Sequence, residues 1–328
     1  MSTREACTNS SGQGLGFWLP GLILVLLLSI GATLTSAADI ERPDRSATVK
    51  EAKSFYQAKK FQQAIDLLND VVRVKPDDYE AAQILALSYY STGKLNEAIS
   101  LLEKLQSNLG PAGFDTSYLL GMCRLKTGQP DKARAAFARM YSVQPDSGVA
   151  HLLFARILVR EHREDEAVPE LKTAIALDGR LGMAHFLLGE VYLYKGAVDS
   201  AIAEFHKELE ISPALWLVYW RLGDALVRRE AYDEAERAVK QAIWLNESFS
   251  GAYVTLGQIA LKRGDFELAA GLLERAVKME PNNQNAHYSL AKAYQKLGRT
   301  QDANRQFEMS RALLGDKNAS HPLIDVPQ

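Results

Sequence analysis

The stretch His185–Pro213, HFLLGEVYLYKGAVDSAIAEFHKELEISP, shares much of its skeleton with Tyr253–Pro281, YVTLGQIALKRGDFELAAGLLERAVKMEP, offset by two periods of 34 residues. A recurrence at this period marks an array of one supersecondary unit, and it overrules the length-based expectation of two globular domains for 328 residues. Working outward, an alanine recurs at Ala64, Ala98, Ala133, Ala167, Ala201, Ala235, Ala269 and Ala303, at intervals of 34, 35, 34, 34, 34, 34 and 34. Twelve residues before each stands another small residue: Ala52, Ala86, Gly121, Ala155, Gly189, Gly223, Gly257 and Ala291. Two small positions so placed belong on facing surfaces of antiparallel helices, which approach closely only where neither carries bulk.

The turn between the helices carries its own signals. Gly93, Gly128, Gly196, Gly264 and Gly298 occupy one place in the unit, suited to the left-handed residue that ends a first helix. Asp131, Asp165, Asp199 and Asp233 follow three residues later, where a carboxylate caps the second helix or favours its start. Four residues past each alanine comes a large apolar side chain, from Leu68 to Phe307, and Pro76, Pro145, Pro213 and Pro281 close units.

These residues resemble the tetratricopeptide repeat over roughly 45–314, in eight units starting near 45, 79, 114, 148, 182, 216, 250 and 284. The family's early tryptophan is replaced, by His151, His185 and His287 among others. The resemblance implies an all-α, right-handed α-solenoid whose units bury their apolar faces on one another, with first helices lining a concave groove. The one extra residue falls in SNLGPAGF, before the third unit, and reads as an offset or hinge with Gly110, Pro111 and Gly113. From 315 to 328 the chain reads as an irregular tail whose Leu323 and Ile324 could cover the end of the stack.

Residues 1–38 are of another kind. Between Glu5 and Asp39 no charge occurs, and Phe17–Leu34 is a continuous apolar block followed by TSAAD, with small residues at Thr35 and Ala37 or Ser36 and Ala38. The pattern fits a cleaved secretory signal, and the alternative is an uncleaved membrane anchor. Residues 39–44 are then a linker. Arg4 precedes the block while Asp39, Glu41 and Asp44 follow it, so both readings place the repeats outside the cytoplasm, either free (periplasmic or secreted) or membrane-anchored. Cys7 precedes the block, which leaves Cys123, on an apolar helix face, as an unpaired thiol.

Composition excludes several classes of function. The chain is 47% hydrophobic and 24% charged, as globular proteins are, and its 38 basic and 40 acidic residues nearly cancel. A nucleic-acid partner is disfavoured, because phosphate neutralisation calls for a basic excess. No HExxH, phosphate-cradling loop or nucleophile elbow occurs, and no cofactor, metal site or enzyme is expected. His151, His185 and His287 stand one or more repeats apart, too far to share a metal ion, and read as interface histidines in place of an aromatic.

What the resemblance leaves is a binding groove. Its inward-facing positions, carried onto this chain, select Arg156, Arg160, Phe186, Tyr194, Trp220, Arg228, Lys262 and Tyr288 as the partner-binding face. Aromatic side chains among arginines are the composition of an interaction hot spot. The carboxylate-clamp asparagines of some family members are replaced here, by Lys53, Leu87 and Arg156. The expected function is a scaffold for protein or peptide partners that helps assemble an extracytoplasmic complex. The alternative is an adaptor or regulatory arm of a carbohydrate-active, glycosyl-transferring enzyme complex.

Overall fold

The computed structural model describes residues 45–109 and 114–315, and every regular element among them is an α-helix. They form eight helix pairs: α1 (Arg45–Gln57) with α2 (Phe61–Val74), α3 (Tyr79–Ser91) with α4 (Leu95–Leu109), α5 (Phe114–Lys126) with α6 (Pro130–Met140), α7 (Gly148–Arg160) with α8 (Glu164–Leu177). The series continues with α9 (Ala184–Tyr194) and α10 (Val198–Ile211), α11 (Trp216–Arg228) and α12 (Tyr232–Leu245), α13 (Ser250–Arg263) and α14 (Phe266–Met279), α15 (Gln284–Lys296) and α16 (Thr300–Gly315).

Each pair closes on the small residues that mark the period. Seven of the eight alanines are wholly buried and Ala303 is 2% exposed. A Cβ added at Gly121, Gly189, Gly223 or Gly257 would fall under 3.0 Å from Phe137, Phe205, Val239 or Leu273, the large apolar residue of the same unit. The small position on the first helix is therefore the socket for the large side chain on the second. Reversal between them needs one left-handed residue, and it sits at the same place in every unit: five are the glycines, and Lys59, His162 and Glu230 adopt φ of 59°, 56° and 63° without being glycine.

Asp131, Asp165, Asp199 and Asp233 are not caps. The residues preceding α6, α8, α10 and α12 are Gln129, Arg163, Ala197 and Ala231, none with a side-chain capping bond, and the aspartates lie inside the first turn. There they meet the helix dipole and reach cations: Lys195 pairs with Asp165, Arg229 with Asp199 at 3.7 Å, and Arg263 with Asp233. Each of these three pairs ties one unit to the next.

The curvature follows from which helices adjoin. The backbones of consecutive first helices come close, α1 to α3 and α3 to α5, then α7 to α9 and onward to α15, whereas among the described residues second helices meet only through long side chains, as Arg139 of α6 does with Gln106 of α4. First helices are thus crowded on the inside of the bend and second helices are spread on the outside, as a solenoid requires. The series loosens once, at α5 and α7, whose backbones do not come as close as those of the other consecutive first helices and which meet through side chains such as Arg160 on Tyr118. Here α6 is the shortest second helix, stopped by a left-handed Ser142 with the Val143 amide bonded to the Ala138 carbonyl at 3.1 Å. Arg134, where other units carry Ile65, Ile99, Val168 or Ile202, is 8% exposed and wedged between Asp131, Asp146, Glu170 and the Pro145 carbonyl. The discontinuity in the stack therefore lies between the third and fourth units. The expected hinge at Gly110–Gly113 falls outside the described residues, as do the signal or anchor segment, the 39–44 linker and the tail from 316 onward. Among the described residues no helix is long and apolar enough to cross a membrane.

Candidate partner-binding face

The concave side is built from the last two turns of the first helices and from their fifth residues. Of the eight residues assigned to it by sequence, Arg156, Arg160, Tyr194, Arg228, Lys262 and Tyr288 are exposed. Tyr288 stands 42% exposed with the Lys292 ammonium 4.4 Å above its ring, and Tyr194 is 54% exposed. Arg160 crosses the gap between α7 and α5, where its guanidinium donates to the Tyr118 hydroxyl and lies 5.3 Å from that ring.

Two assigned residues sit elsewhere. Phe186 is 4% exposed and packs on Phe205 at 5.9 Å, so it belongs to the core, as do Leu152 and Val254 at the same place in the fourth and seventh units. Trp220 is half-buried, its indole N–H donating to Thr255 at 3.1 Å and its ring edge-on to Phe249 at 4.8 Å. It stacks the sixth unit on the seventh and shows only part of its ring to the groove, so removing it would loosen packing as well as any contact.

The late start of α9 has an identifiable cause that sequence reasoning missed. Met183 takes a left-handed conformation, φ 70°, and its amide, with that of Phe186, donates to the wholly buried Glu208 at 2.8 and 3.2 Å. A carboxylate from α10 thus satisfies amides at the start of α9 that would otherwise be buried unpaired. Equivalent places in other units hold Val71, Leu105, Met140, Ala174, Ala242, Ala276 and Ser310. A lone carboxylate at a place otherwise apolar or small was the available signal.

A second buried carboxylate organises the groove floor. Glu190, 6% exposed, accepts from Arg221 Nε at 2.5 Å, and Asp224 lies 3.5 Å from Arg221 and 3.2 Å from Arg228. Burial pushes the Glu190 carboxyl above its ordinary range, against the opposing pull of Arg221. Arg221 was not singled out in the sequence because its position in the helix is not one that faces the groove.

The histidines bond within their own units. His151, His185 and His287 each place Nδ1 against a side chain nineteen residues on: Glu170 at 2.6 Å, Glu204 at 2.5 Å and Gln306 at 2.6 Å. All three are buried. Among the described residues no three metal-binding side chains gather. Cys123 is wholly buried, and burial pushes its thiol up to about 11, which makes thiolate chemistry inaccessible in the folded state.

Comparison with known proteins follows the same lines. Two tetratricopeptide-repeat family models match, over residues 124–181 and 52–71. The model for the middle TPR-like domain of cilia and flagella-associated protein 70 matches 195–314, and that for subunit 3 of the anaphase-promoting complex, or cyclosome, matches 70–140. Among curated proteins, none matches this chain. Among solved structures, the APC/C hetero-tetramer Cut9–Hcn1 superposes with a TM-score of 0.52 at 18% identity, over 85% of this chain and 55% of that one. MamA from Desulfovibrio magneticus RS-1 gives 0.47 at 18% identity, over 53% of this chain and 98% of its own. YrrB, described as a TPR protein with an unusual peptide-binding site, gives 0.43 at 21% identity, over 52% and 89%. With repeat-family models distributed from residue 52 to residue 314 on eight helix pairs of one period, the chain is a tetratricopeptide-repeat protein.

Proposed function

We propose that this protein is a scaffold that holds a protein or peptide partner along its concave face, and that it acts outside the cytoplasm in the assembly of a larger complex. Its mechanism is affinity. The observation that carries the binding reading is the exposure, on one side of adjoining helices α7 to α15, of Tyr194, Tyr288, Arg156 and Lys262. Aromatic rings and cations left in water on the inside of a curved surface are poised to be desolvated together by an inserted chain. The extracytoplasmic part rests on the Phe17–Leu34 block and the small residues after it. Nothing in the groove favours the glycosyl-transfer alternative over this reading.

One experiment addresses both parts. The native protein, tagged at its carboxyl end, is recovered with and without the paired changes Tyr194→Ala and Tyr288→Ala. Loss of an exposed anchor typically costs about 2 kcal/mol of binding or more, so the wild type should retain a partner that the double variant loses, at equal helicity. Equal retention would move the site off this face. Sequencing the amino end of the same sample should read a start at Ala38 or Asp39, or an intact chain held in membranes; an intact chain free in the cytoplasm would overturn the export reading.

A further inference from the structure

The ends of the first helices carry a pattern that the hot-spot reading does not use. The thirteenth residue of each unit is Lys126, Arg160, Tyr194, Arg228, Lys262 and Lys296 in units three to eight, at intervals of 34, and all six are exposed. The fourteenth is Lys195, Arg229 and Arg263 in units five to seven. Cations are expected at both places, because the last turn of a helix carries partial negative charge. Their fates differ. Each fourteenth-position cation is paired with an aspartate of the preceding unit, Asp165, Asp199 or Asp233. At the thirteenth position, Arg160 faces Tyr118 and Arg228 leans on Asp224, while Lys262 and Lys296 have no ion-pair partner among the described residues.

A protein whose charges sum to -2 therefore keeps a row of cations on one edge of the groove, in which Lys262 and Lys296 have no carboxylate among the described residues while every cation of the neighbouring row has one. We propose that the partner is an extended acidic polypeptide segment whose carboxylates seat on Arg160, Arg228, Lys262 and Lys296, an inference that rests on the concave-face reading above. Geometry sets its form. Packed helix axes stand about 8–10 Å apart, and the first helices from α7 to α15 adjoin in unbroken order. An extended chain advances about 3.3 Å per residue, so an acidic residue at every third position matches one rung per unit. Tyr194 interrupts the cations at the fifth unit, where the segment should present an apolar or neutral residue. A helical ligand, rising about 1.5 Å per residue, would instead carry its acids about seven apart, one per unit on a single face, so spacing in the ligand separates the two forms.

The test uses the full chain and a fluorescein-labelled peptide of about 13 residues with Glu at every third position except the one facing Tyr194, which is Leu, the same peptide with Gln for Glu, and a single-stranded oligothymidylate. The Glu peptide should bind more tightly than the Gln peptide, with affinity falling as salt rises. Lys262→Gln with Lys296→Gln should weaken it roughly tenfold, while Lys172→Gln with Lys240→Gln, an equal charge change on the outer helices α8 and α12, should leave it unchanged. Equal weakening by both pairs would reduce the effect to net charge and overturn the proposal. Equal binding of the Gln peptide, abolished by Tyr194→Ala with Tyr288→Ala, would keep the groove and refute its acidic occupant. Failure of every peptide to respond to either groove pair would refute the groove as well. Tighter binding of the oligonucleotide, lost in Lys262→Gln with Lys296→Gln, would assign the ladder to another class of polyanion and overturn it too.

Discussion

Glu230 shows how much backbone geometry a repeat can impose on an unsuitable residue. The turn between α11 and α12 needs a left-handed conformation, and Glu230 supplies it at φ 63° where five other units use glycine. For an L-residue that conformation costs about 1–2 kcal/mol. Glycine removes the cost but gives back about 0.5–1 kcal/mol through the greater freedom of its unfolded chain. The Glu230 side chain is exposed, and its amide bond to the Val227 carbonyl at 3.0 Å involves only backbone. Glu230→Gly should therefore stabilise the protein by about 0.5–1 kcal/mol, read as a rise in the thermal midpoint. A lower midpoint would mean that the glutamate makes a compensating contact in solution.

At the scale of the element, α9 is the helix most shaped by carboxylates from its neighbourhood. Glu208 of α10 satisfies its first amides, and its own Glu190 reaches Arg221 of α11. The Glu190 carboxyl is raised above its ordinary 4.5 chiefly by burial. Between the ordinary and the raised value the folded chain holds a proton that the unfolded chain has released, so folding takes up a proton and stability falls as pH rises through that window. The contribution of this site should thus be largest below pH 4.5 and decline above it. Glu190→Gln should remove that part of the slope in melts recorded against pH. An unchanged profile would show that Arg221 holds the carboxylate ionised and offsets its burial.

For the whole molecule, the consequence of the missing approach between α5 and α7 is divided cooperativity. A solenoid is stable to the extent that each unit is coupled to the next, and at this junction the backbones of the first helices stand apart, leaving the coupling to side chains: the apolar Met122, Leu125, Phe137 and Phe154 and the buried charge of Arg134. Native-state hydrogen exchange should resolve two blocks, α1–α6 and α7–α16, with different opening free energies. A single uniform block would show that these side chains bind the junction as firmly as close approach of the first helices does elsewhere. Binding and coupling are linked here, since the four cations assigned to the partner, Arg160, Arg228, Lys262 and Lys296, lie wholly on the second block.

The repeat, its period and the facing small residues were legible in the sequence because they are local requirements: Ala201 or Gly223 must be small in any chain that closes two helices at this distance. The left-handed turn was legible where glycine marks it and hidden at Lys59, His162 and Glu230, where the neighbouring helices impose it. Which residues face a partner was only partly readable. Phe186 was assigned to the groove by its place in the period, and it lies in the core because Phe205 of the facing helix packs on it, just as Leu152 and Val254 at the same place are buried. Trp220 is divided between groove and stack because Phe249 and Thr255 of the next unit come to meet it. The pairing of Lys195, Arg229 and Arg263 with aspartates of the preceding unit, while Lys262 and Lys296 beside them have no carboxylate among the described residues, also appears only once units are stacked. Position within one unit follows from the period alone, whereas exposure and charge partnership depend on what the adjacent unit places alongside.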